Sequence, residues 1–274
     1  MKLTWLGWAG VELAAGQSTL VIDPLEDAAA VFAPLGPAAT EALPAIVPPT
    51  ASTAVAGLLT HLHRDHADAA ALTAALAPGA PVLEPEAGGG DKIENLALAQ
   101  ADHELNEAGL DRRRLKPWES VDVGPFHVTA LPAVDGIGDP QVSWLVEVDG
   151  VRVLHLGDTI FHGYWWRMAR RHGPFDVVCV PVNGAVLSFP HRQPPSPFTG
   201  ALDPEQAAVA VEILGSRVAI PMHAQGYDIP DVYEPAADAV AKFEAAADAR
   251  GVPVQALDVG QDLSALPVSL TDIR

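Results

Sequence analysis

Apolar and polar positions alternate over short distances in the first part of the chain, which predicts strands. KLTWL, GVELAA and STLVID are three such runs, and glycine-bearing turns separate them. VAGLLTH is an unbroken apolar run that ends at a histidine, as is typical of a buried strand. Residues 26–53 are instead rich in Ala and Pro and follow neither a strand nor a helix period. We therefore predict a long ordered loop over 26–53, and loops of that length often cover a binding site.

After this region, helical and strand patterns follow one another. ADAAALTAALAPG predicts a helix closed by Pro78-Gly79, and DVGPFHVTALPAV predicts a strand. QVSWLVEVDGVRVLHLGD is rich in strand-forming residues and contains Asp149-Gly150, a strong signal for a hairpin turn. GYWWRMARRHG then predicts a helix, and PFDVVCVPV predicts a buried strand. A loop rich in histidine and proline follows this strand at 189–200.

The last part of the chain contains two more predicted helices. In LDPEQAAVAVEILG, Asp203 is the expected N-cap, Pro204 the first helical residue and Gly215 the stop. RVAIPMH predicts a strand, and EPAADAVAKFEAAADARG predicts a helix from Pro235 to Gly251. A β-rich first half and an alternating second half fit two sheets covered by helices on their outer faces. We predict an α/β fold, a single four-layer domain spanning residues 1–274.

The charge balance narrows the range of partners. The chain has 35 Asp and Glu against 16 Lys and Arg, a formal net charge of −19, so we expect neither nucleic acid nor an anionic membrane as a partner. Cys179 is the only cysteine, which excludes an intrachain disulfide and a cysteine-based zinc site. Without a signal-peptide pattern or an apolar run of 18 residues, we expect a cytoplasmic protein. A homo-oligomer is compatible with this composition.

The strongest chemical feature is the segment THLHRDHAD at 60–68, which holds His61, His63, Asp65 and His66. Side chains of an extended segment repeat every two residues, so the first three point to one side. The fourth turns round as the next helix begins. One tetrahedral ion cannot take all four without strain, whereas two adjacent ions can take two each. Two ions about 3.5–4 Å apart can share a water and lower its pKa.

Each ion needs further ligands, and three candidates stand at the ends of predicted strands. Asp158 ends VRVLHLGD and can bridge both ions through its two carboxylate oxygens. Asp135 ends VTALPAVD and is the candidate for the first ion, with His61 and His63. His223 ends RVAIPMH and is the candidate for the second ion. The long separations between these residues are those expected of ligands from different strands at one sheet edge.

The motifs THLHRDH, PAVDG, LHLGDT and IPMH together resemble the metallo-β-lactamase superfamily. Within it, the chain is similar to the branch of L-ascorbate-6-phosphate lactonase-like hydrolases and N-acylphosphatidylethanolamine phospholipases D. VIDP at the end of the third run and LDPEQAA before IPMH also resemble that branch. The resemblance implies an αβ/βα sandwich with its site at the open edge between two sheets. It also implies two divalent metal ions, usually zinc and sometimes manganese or iron.

The chain departs from the family pattern at Asp135, where the resemblance implies a histidine. A third carboxylate makes the centre less positive, so a bound water becomes less acidic. Oxygen ligands also shift the preference modestly towards manganese or iron. The alternatives are that His127, His155 or His162 replaces Asp135 as a ligand, or that the first metal site is weak or empty.

These features predict a dinuclear metal-dependent hydrolase that uses a metal-bound hydroxide on a small ester, lactone or phosphoester, with a lactone as first choice. Asp65, besides binding metal, is expected to orient the nucleophile and relay its proton. His162, His191 and Arg192 are the candidate substrate contacts, because an arginine near the metals can hold a carboxylate or phosphate. The alternative is a degenerate, non-catalytic metal- or ligand-binding member of the same fold.

Overall fold

The computed structural model describes residues 1–33, 36–189, 192–226 and 228–263. A six-stranded sheet is built entirely from the first 115 residues. Its strands, which lie side by side in chain order, are β1 Lys2–Gly7, β2 Gly10–Ala15, β3 Ser18–Ile22, β4 Ala54–Leu58, β5 Val82–Pro85 and β6 Arg112–Leu115. The first three strands are antiparallel, and β3 to β6 run parallel.

A second six-stranded sheet follows. Its strands are β7 Ser120–Val123, β8 Phe126–Pro132, β9 Val142–Val148, β10 Val151–His155, β11 Val177–Pro181 and β13 Val218–Met222. Strands β7 to β10 form an antiparallel meander, and β10, β11 and β13 are parallel. Asp149 and Gly150 join β9 to β10 with φ values of 54° and 76°, as a tight hairpin turn requires. The predicted hairpin is therefore confirmed.

Among the described residues, a two-stranded sheet and seven helices complete the fold. The short strands are β12 Val186–Leu187 and β14 Tyr233–Glu234. The helices are α1 Ala28–Phe32, α2 Pro37–Glu41, α3 Ala69–Ala75, α4 Leu96–Glu107, α5 Trp165–His172, α6 Pro204–Leu214 and α7 Ala239–Asp248. No helix in this part of the chain is long and apolar enough to cross a membrane.

The hydrophobic side chains form layers that match the predicted sandwich. One core lies between the sheets and contains Leu13 and Ile22 of the first sheet and Val128 and Val146 of the second. The outer face of the first sheet packs on α3 and α4, and that of the second packs on α5, α6 and α7. This order of helices, sheet, sheet and helices confirms the predicted four-layer αβ/βα architecture.

Local signals were accurate where capping chemistry is strong. Asp203 accepts a 2.8 Å hydrogen bond from the Gln206 amide at the start of α6, and Gly215 ends that helix with φ 67°. The last helix begins at Ala239 rather than at Pro235.

The prediction of a loop throughout 26–53 is wrong, because α1 and α2 lie within it. Each has five residues, too few to show a helical period in a sequence rich in alanine.

Candidate metal centre

The predicted ligands come together where strands of both sheets end. His61, His63, Asp65 and His66 follow β4, and Asp135 follows β8 by three residues. Asp158 comes three residues after β10, and His223 comes directly after β13. Strands β8, β10 and β13 run in the same direction, so their carboxyl ends share one edge.

Seven side chains form two groups of potential metal ligands. The first group consists of His61, His63 and Asp135, and the second consists of Asp65, His66, Asp158 and His223. Within each group, the ligand atoms all lie within 4.8 Å of one another. The groups are adjacent, because the ring centroids of His61 and His66 are 4.1 Å apart. This division agrees with the sequence prediction for six of the residues, whereas Asp158, which was predicted to bridge both ions, belongs to the second group only.

Three buried polar atoms in these groups fit a cation. His61 Nε2, His66 Nε2 and Asp158 Oδ1 have no hydrogen-bond partner in the described part of the chain. The last two lie 3.3 Å apart but without hydrogen-bond geometry. A buried polar atom without a partner costs free energy, whereas imidazole nitrogens and carboxylate oxygens are good ligands for divalent metals. The donor set therefore fits the metals implied by the resemblance.

Asp23 fixes the orientation of a ring in each group, a role that the sequence analysis missed. Its Oδ2 accepts 2.6 Å and 2.8 Å hydrogen bonds from the Thr60 hydroxyl and His66 Nδ1. With its proton given to Asp23, the Thr60 oxygen can accept from His61 Nδ1 at 2.9 Å. Both rings then carry their proton on Nδ1 and leave Nε2 as a lone pair, the form that binds metal. The only sequence signal was VIDP, noted as part of the resemblance.

Asp139 has the corresponding role for His63. Its Oδ2 lies 2.8 Å from His63 Nε2, which leaves Nδ1 as the ring nitrogen for a metal. The backbone amides of Ile137 and Asp139 both donate to Asp135 Oδ2, at 2.8 Å and 3.0 Å, which leaves Oδ1 as the oxygen that could bind a metal. Arg192 approaches Asp139 at 3.7 Å and donates to the Ile137 carbonyl. This arginine therefore supports the loop at 135–139.

Trp8 holds two members of the second group in place. Its indole N–H donates to Asp65 Oδ2 at 3.1 Å, and its ring lies 3.9 Å from the His223 ring. The His223 amide also donates to the Trp8 carbonyl at 3.0 Å. Both residues have positive φ, 52° and 57°, a backbone conformation that is costly for bulky side chains. The sequence offered no signal for this arrangement.

Asn183 contacts Nδ1 of His223, the ring nitrogen that points away from the other potential ligands. Its Nδ2 lies 2.9 Å from His223 Nδ1 and donates to the Tyr233 hydroxyl, while its Oδ1 is buried without a hydrogen-bond partner among the described residues. Exchanging the amide oxygen and nitrogen would let Oδ1 accept from His223 Nδ1–H. That orientation leaves His223 Nε2 as a lone pair, 3.2 Å from Asp158 Oδ2.

Burial and neighbouring charges set the protonation of the ligands. Burial, with the nearby His66 ring, lowers the pKa of His61 well below its ordinary value, so this ring is neutral at neutral pH. Burial alone would raise the pKa of Asp158, but the rings of His223 and His66 outweigh it and hold the pKa low. Burial raises the pKa of Asp135. Burial alone would lower the pKa of His66, but Asp158 and Asp65 outweigh it and raise the pKa well above its ordinary value, so a metal bound by this ring would displace a proton.

A cavity of about 230 Å³ opens beside the two groups. Apart from potential ligands, its lining includes one cationic side chain, Arg64, among mostly apolar ones. The apolar lining residues are Val31, Phe32, Ala97, Ile137, Ala185, Leu187, Phe189 and Ala201. The segments 26–53 and 189–200 thus both contribute to its walls.

Two of the three candidate substrate contacts, His162 and Arg192, are absent from the cavity lining. His162 does not line this cavity; its ring stacks on Trp165 at 3.9 Å, and burial lowers its pKa to about 4. Arg192 is also absent from the lining, because its guanidinium bonds to the loop at 135–139. His191 lies outside the described residues.

The alternatives to Asp135 are placed away from the first group. His127 pairs with Asp122 at 2.6 Å on the surface of the second sheet. His155 Nε2 donates to the Ala9 carbonyl at 2.8 Å, and its Nδ1 accepts from an amide. Asp135 is therefore the residue that the structure brings to His61 and His63.

Together, the four-layer sandwich and its His/Asp cluster define a class, the metallohydrolases with an αβ/βα fold. The chain belongs to the beta-lactamase superfamily, because residues 18–224 match the family model described as "Beta-lactamase superfamily domain". A UPF0173 metal-dependent hydrolase of Thermococcus onnurineus is 26% identical over 229 residues, which are 81% of this chain and 84% of that protein. One from Thermococcus kodakarensis is 29% identical over 166 residues, 61% of this chain and 65% of that protein.

Solved structures share the fold at low sequence identity. A metallo hydrolase from Ignicoccus hospitalis has a TM-score of 0.61 and 18% identity, covering 96% of this chain and 97% of that one. CmlA, a diiron beta-hydroxylase from Streptomyces venezuelae, has a TM-score of 0.70 and 17% identity, covering 96% and 54%. The predicted superfamily and the class of metal-dependent hydrolase are confirmed. The narrower lactonase and phospholipase branch stays a prediction.

Proposed function

We propose that this protein is a dinuclear hydrolase that opens cyclic esters, with phosphodiesters as the second substrate class. The observation that carries the proposal is the presence of two adjacent ligand groups, one of three and one of four side chains. Their facing rings, His61 and His66, are 4.1 Å apart. Adjacent ligand groups of this kind suit two ions that share a water.

Two divalent ions bound there would polarise the substrate oxygen and make a shared water acidic enough to attack near neutral pH. Asp65 is positioned to orient that water, because Trp8 fixes its Oδ2 from behind. The carboxylate takes the proton that the water releases as its oxygen bonds to the carbonyl carbon. It then gives this proton to the ring oxygen when the ester bond breaks, which yields a hydroxy acid.

We propose zinc as the native metal, with manganese or iron as alternatives. Asp65, Asp135 and Asp158 contribute three carboxylates, so two divalent cations would keep a net charge of about +1. The oxygen ligands shift the preference modestly towards manganese or iron. The acidic chain, with a net charge of −19, supports a small-molecule substrate rather than nucleic-acid or membrane partners.

A screen of metal-loaded protein tests the proposal. Purified protein is loaded with Zn²⁺, Mn²⁺ or Fe²⁺ and offered five- and six-membered lactones and a phosphodiester in a pH-stat, which records the acid released. We expect lactone opening that a chelator stops and added metal restores. The proposal would be overturned if no acid were released from either substrate class with any of the three metals.

A non-catalytic metal- or ligand-binding protein of the same fold is the second candidate. The observation in its favour is Asp135, whose pKa is raised by burial. A carboxylate that is costly to ionise is a weaker ligand than the histidine that the resemblance implies. This candidate predicts one bound metal, in the second group, together with the negative result in the hydrolysis screen.

A further inference from the structure

We infer that the substrate is an uncharged ester or lactone with a short apolar substituent, seated in the cavity beside the ligand groups. This inference rests on the proposed function and adds the substrate class. The apolar wall comes from separate parts of the chain: Val31 and Phe32 of α1, Ala97 of α4, and Leu187 of β12. Apolar side chains that meet from several elements form a surface suited to hydrocarbon.

The cavity offers few donors to an anionic substituent. Arg64 is the one cation of its described lining apart from the histidines of the ligand groups; two of its three guanidinium nitrogens are engaged, and its Nε is buried without a hydrogen-bond partner in the described part of the chain. Its Nη1 donates to the Ala30 carbonyl at 3.3 Å, and its Nη2 lies 3.4 Å from Glu104 Oε1. A carboxylate or phosphate on the substituent would lose its hydration against the apolar wall, where the terminal nitrogens of Arg64 are already engaged.

The size of the cavity limits the substituent. Its volume of about 230 Å³ is below the range of roughly 300–1,000 Å³ that drug-sized ligands occupy. A substituent of a few carbons therefore fits, and a long acyl chain would extend into solvent. A phosphorylated sugar lactone, as in the branch named in the sequence analysis, would place a dianion among apolar side chains. The inference therefore separates this chain from enzymes that act on phosphorylated substrates.

The test compares γ-butyrolactones that carry ethyl, butyl or carboxyethyl groups on the same ring carbon. We expect kcat/KM to rise about threefold per buried methylene, and the carboxyethyl compound to fall at least tenfold below the butyl compound. The matching lactams, which are not hydrolysed, report binding alone by isothermal titration calorimetry. They are expected to follow the same order. Equal or better turnover and binding of the carboxyethyl compounds would overturn the inference.

Variants at Leu187 separate charge from shape. Leu187 of the two-stranded sheet lines the cavity and is half-buried. A longer polar side chain at this position can therefore lie along the cavity with its polar end still in contact with solvent. Leu187→Arg should reverse the preference and favour the carboxyethyl compound, whereas Leu187→Gln should weaken the butyl compound without favouring the charged one. An unchanged preference in Leu187→Arg would contradict the inference.

The two proposals fail in distinguishable ways. If no lactone is opened but the butyl lactam binds more tightly than the carboxyethyl lactam, the proposed lactone hydrolysis fails and only the preference of the cavity for an uncharged apolar substituent stands. If lactones are opened with the charged compound preferred, the proposed function stands and the cavity inference fails.

Discussion

The two ligand groups differ in what holds them. The second group is anchored from several parts of the fold, by Asp23 at the end of β3, Trp8 after β1 and Asn183 after β11. In the first group, His63 and Asp135 both depend on one loop, 135–139, through Asp139 and two backbone amides. Rigid surroundings pre-organise metal ligands. We therefore expect the second site to bind metal more tightly than the first.

The difference also bears on Asp135, where the resemblance implies a histidine. Asp135 belongs to the group held by a single loop, and two amides already satisfy its Oδ2. A change of ligand there alters the charge of one site and leaves the anchors of the other untouched. Asp23 is the exception, because it acts on both groups through Thr60 and His66.

Removal of metal should give the largest effect and resolve the two sites. As chelator concentration increases, we expect one metal per chain to leave first and hydrolysis to disappear, since the dinuclear mechanism needs both ions. The second metal should leave only at higher chelator concentration. Elemental mass spectrometry after dialysis, together with the pH-stat rate, measures both steps. Loss of both metals in one step would contradict the predicted difference between the sites.

Asp23→Asn should have the next largest effect, because it disturbs both groups. Asp23 accepts hydrogen bonds on both oxygens, from the Thr60 amide on one and from the Thr60 hydroxyl and His66 Nδ1 on the other. Asparagine can accept on one side only, so its NH2 group would face a donor on the other side. We expect metal affinity to fall about 100-fold at both sites, measured by competition with a chromophoric chelator. Asp122→Asn, which changes an exposed carboxylate paired with His127, is the matched control and should bind two metals as before. Equal behaviour of the two variants would be inconsistent with the role of Asp23.

Asp139→Asn should weaken the first site alone. The amide is a poorer acceptor for His63 Nε2–H than the carboxylate is, so the ring is less firmly oriented. We expect affinity at the first site to fall about 10-fold to 100-fold, while the other metal is retained through the same chelator titration. If both metals were weakened to the same extent, the two sites would not be separately anchored.

Trp8→Phe should have the smallest effect and should fall on the second site. Phenylalanine keeps an aromatic ring against His223 but removes the indole donor to Asp65 Oδ2. We expect affinity at the second site to fall about tenfold and the fluorescence change on metal loading to lose the Trp8 contribution. Trp166→Phe, which replaces a tryptophan that is 55% exposed, controls for loss of an indole elsewhere. A variant indistinguishable from this control would remove Trp8 from the account.

The sequence predicted the candidate metal ligands that lie just after the ends of strands. His61, Asp135, Asp158 and His223 each come within three residues of a strand, so their meeting at one edge could be predicted from local pattern and topology. The anchors could not be, because Asp23, Trp8 and Asp139 reach ligands 43, 57 and 76 residues away through single hydrogen bonds. The spacing of residues along the sequence does not indicate such long-range hydrogen bonds.

The residues that line the cavity were harder still to predict. His162 follows Asp158 by four residues, yet the chain after β10 turns so that its ring stacks on Trp165 instead of lining the cavity. The cavity wall includes Val31 and Phe32 from a helix of five residues, which showed no period in the sequence. Loop and helix-end geometry of this kind depends on tertiary packing.

Metal stoichiometry tests the central claim, a dinuclear centre in which Asp135 is a ligand, most directly. Protein purified without chelator is analysed by elemental mass spectrometry as wild type, as Asp135→Ala and as His127→Ala, a control outside both groups. The account predicts about two metals per chain in the wild type and the control, and about one in Asp135→Ala. One metal or none in the wild type, unchanged by Asp135→Ala, would contradict it.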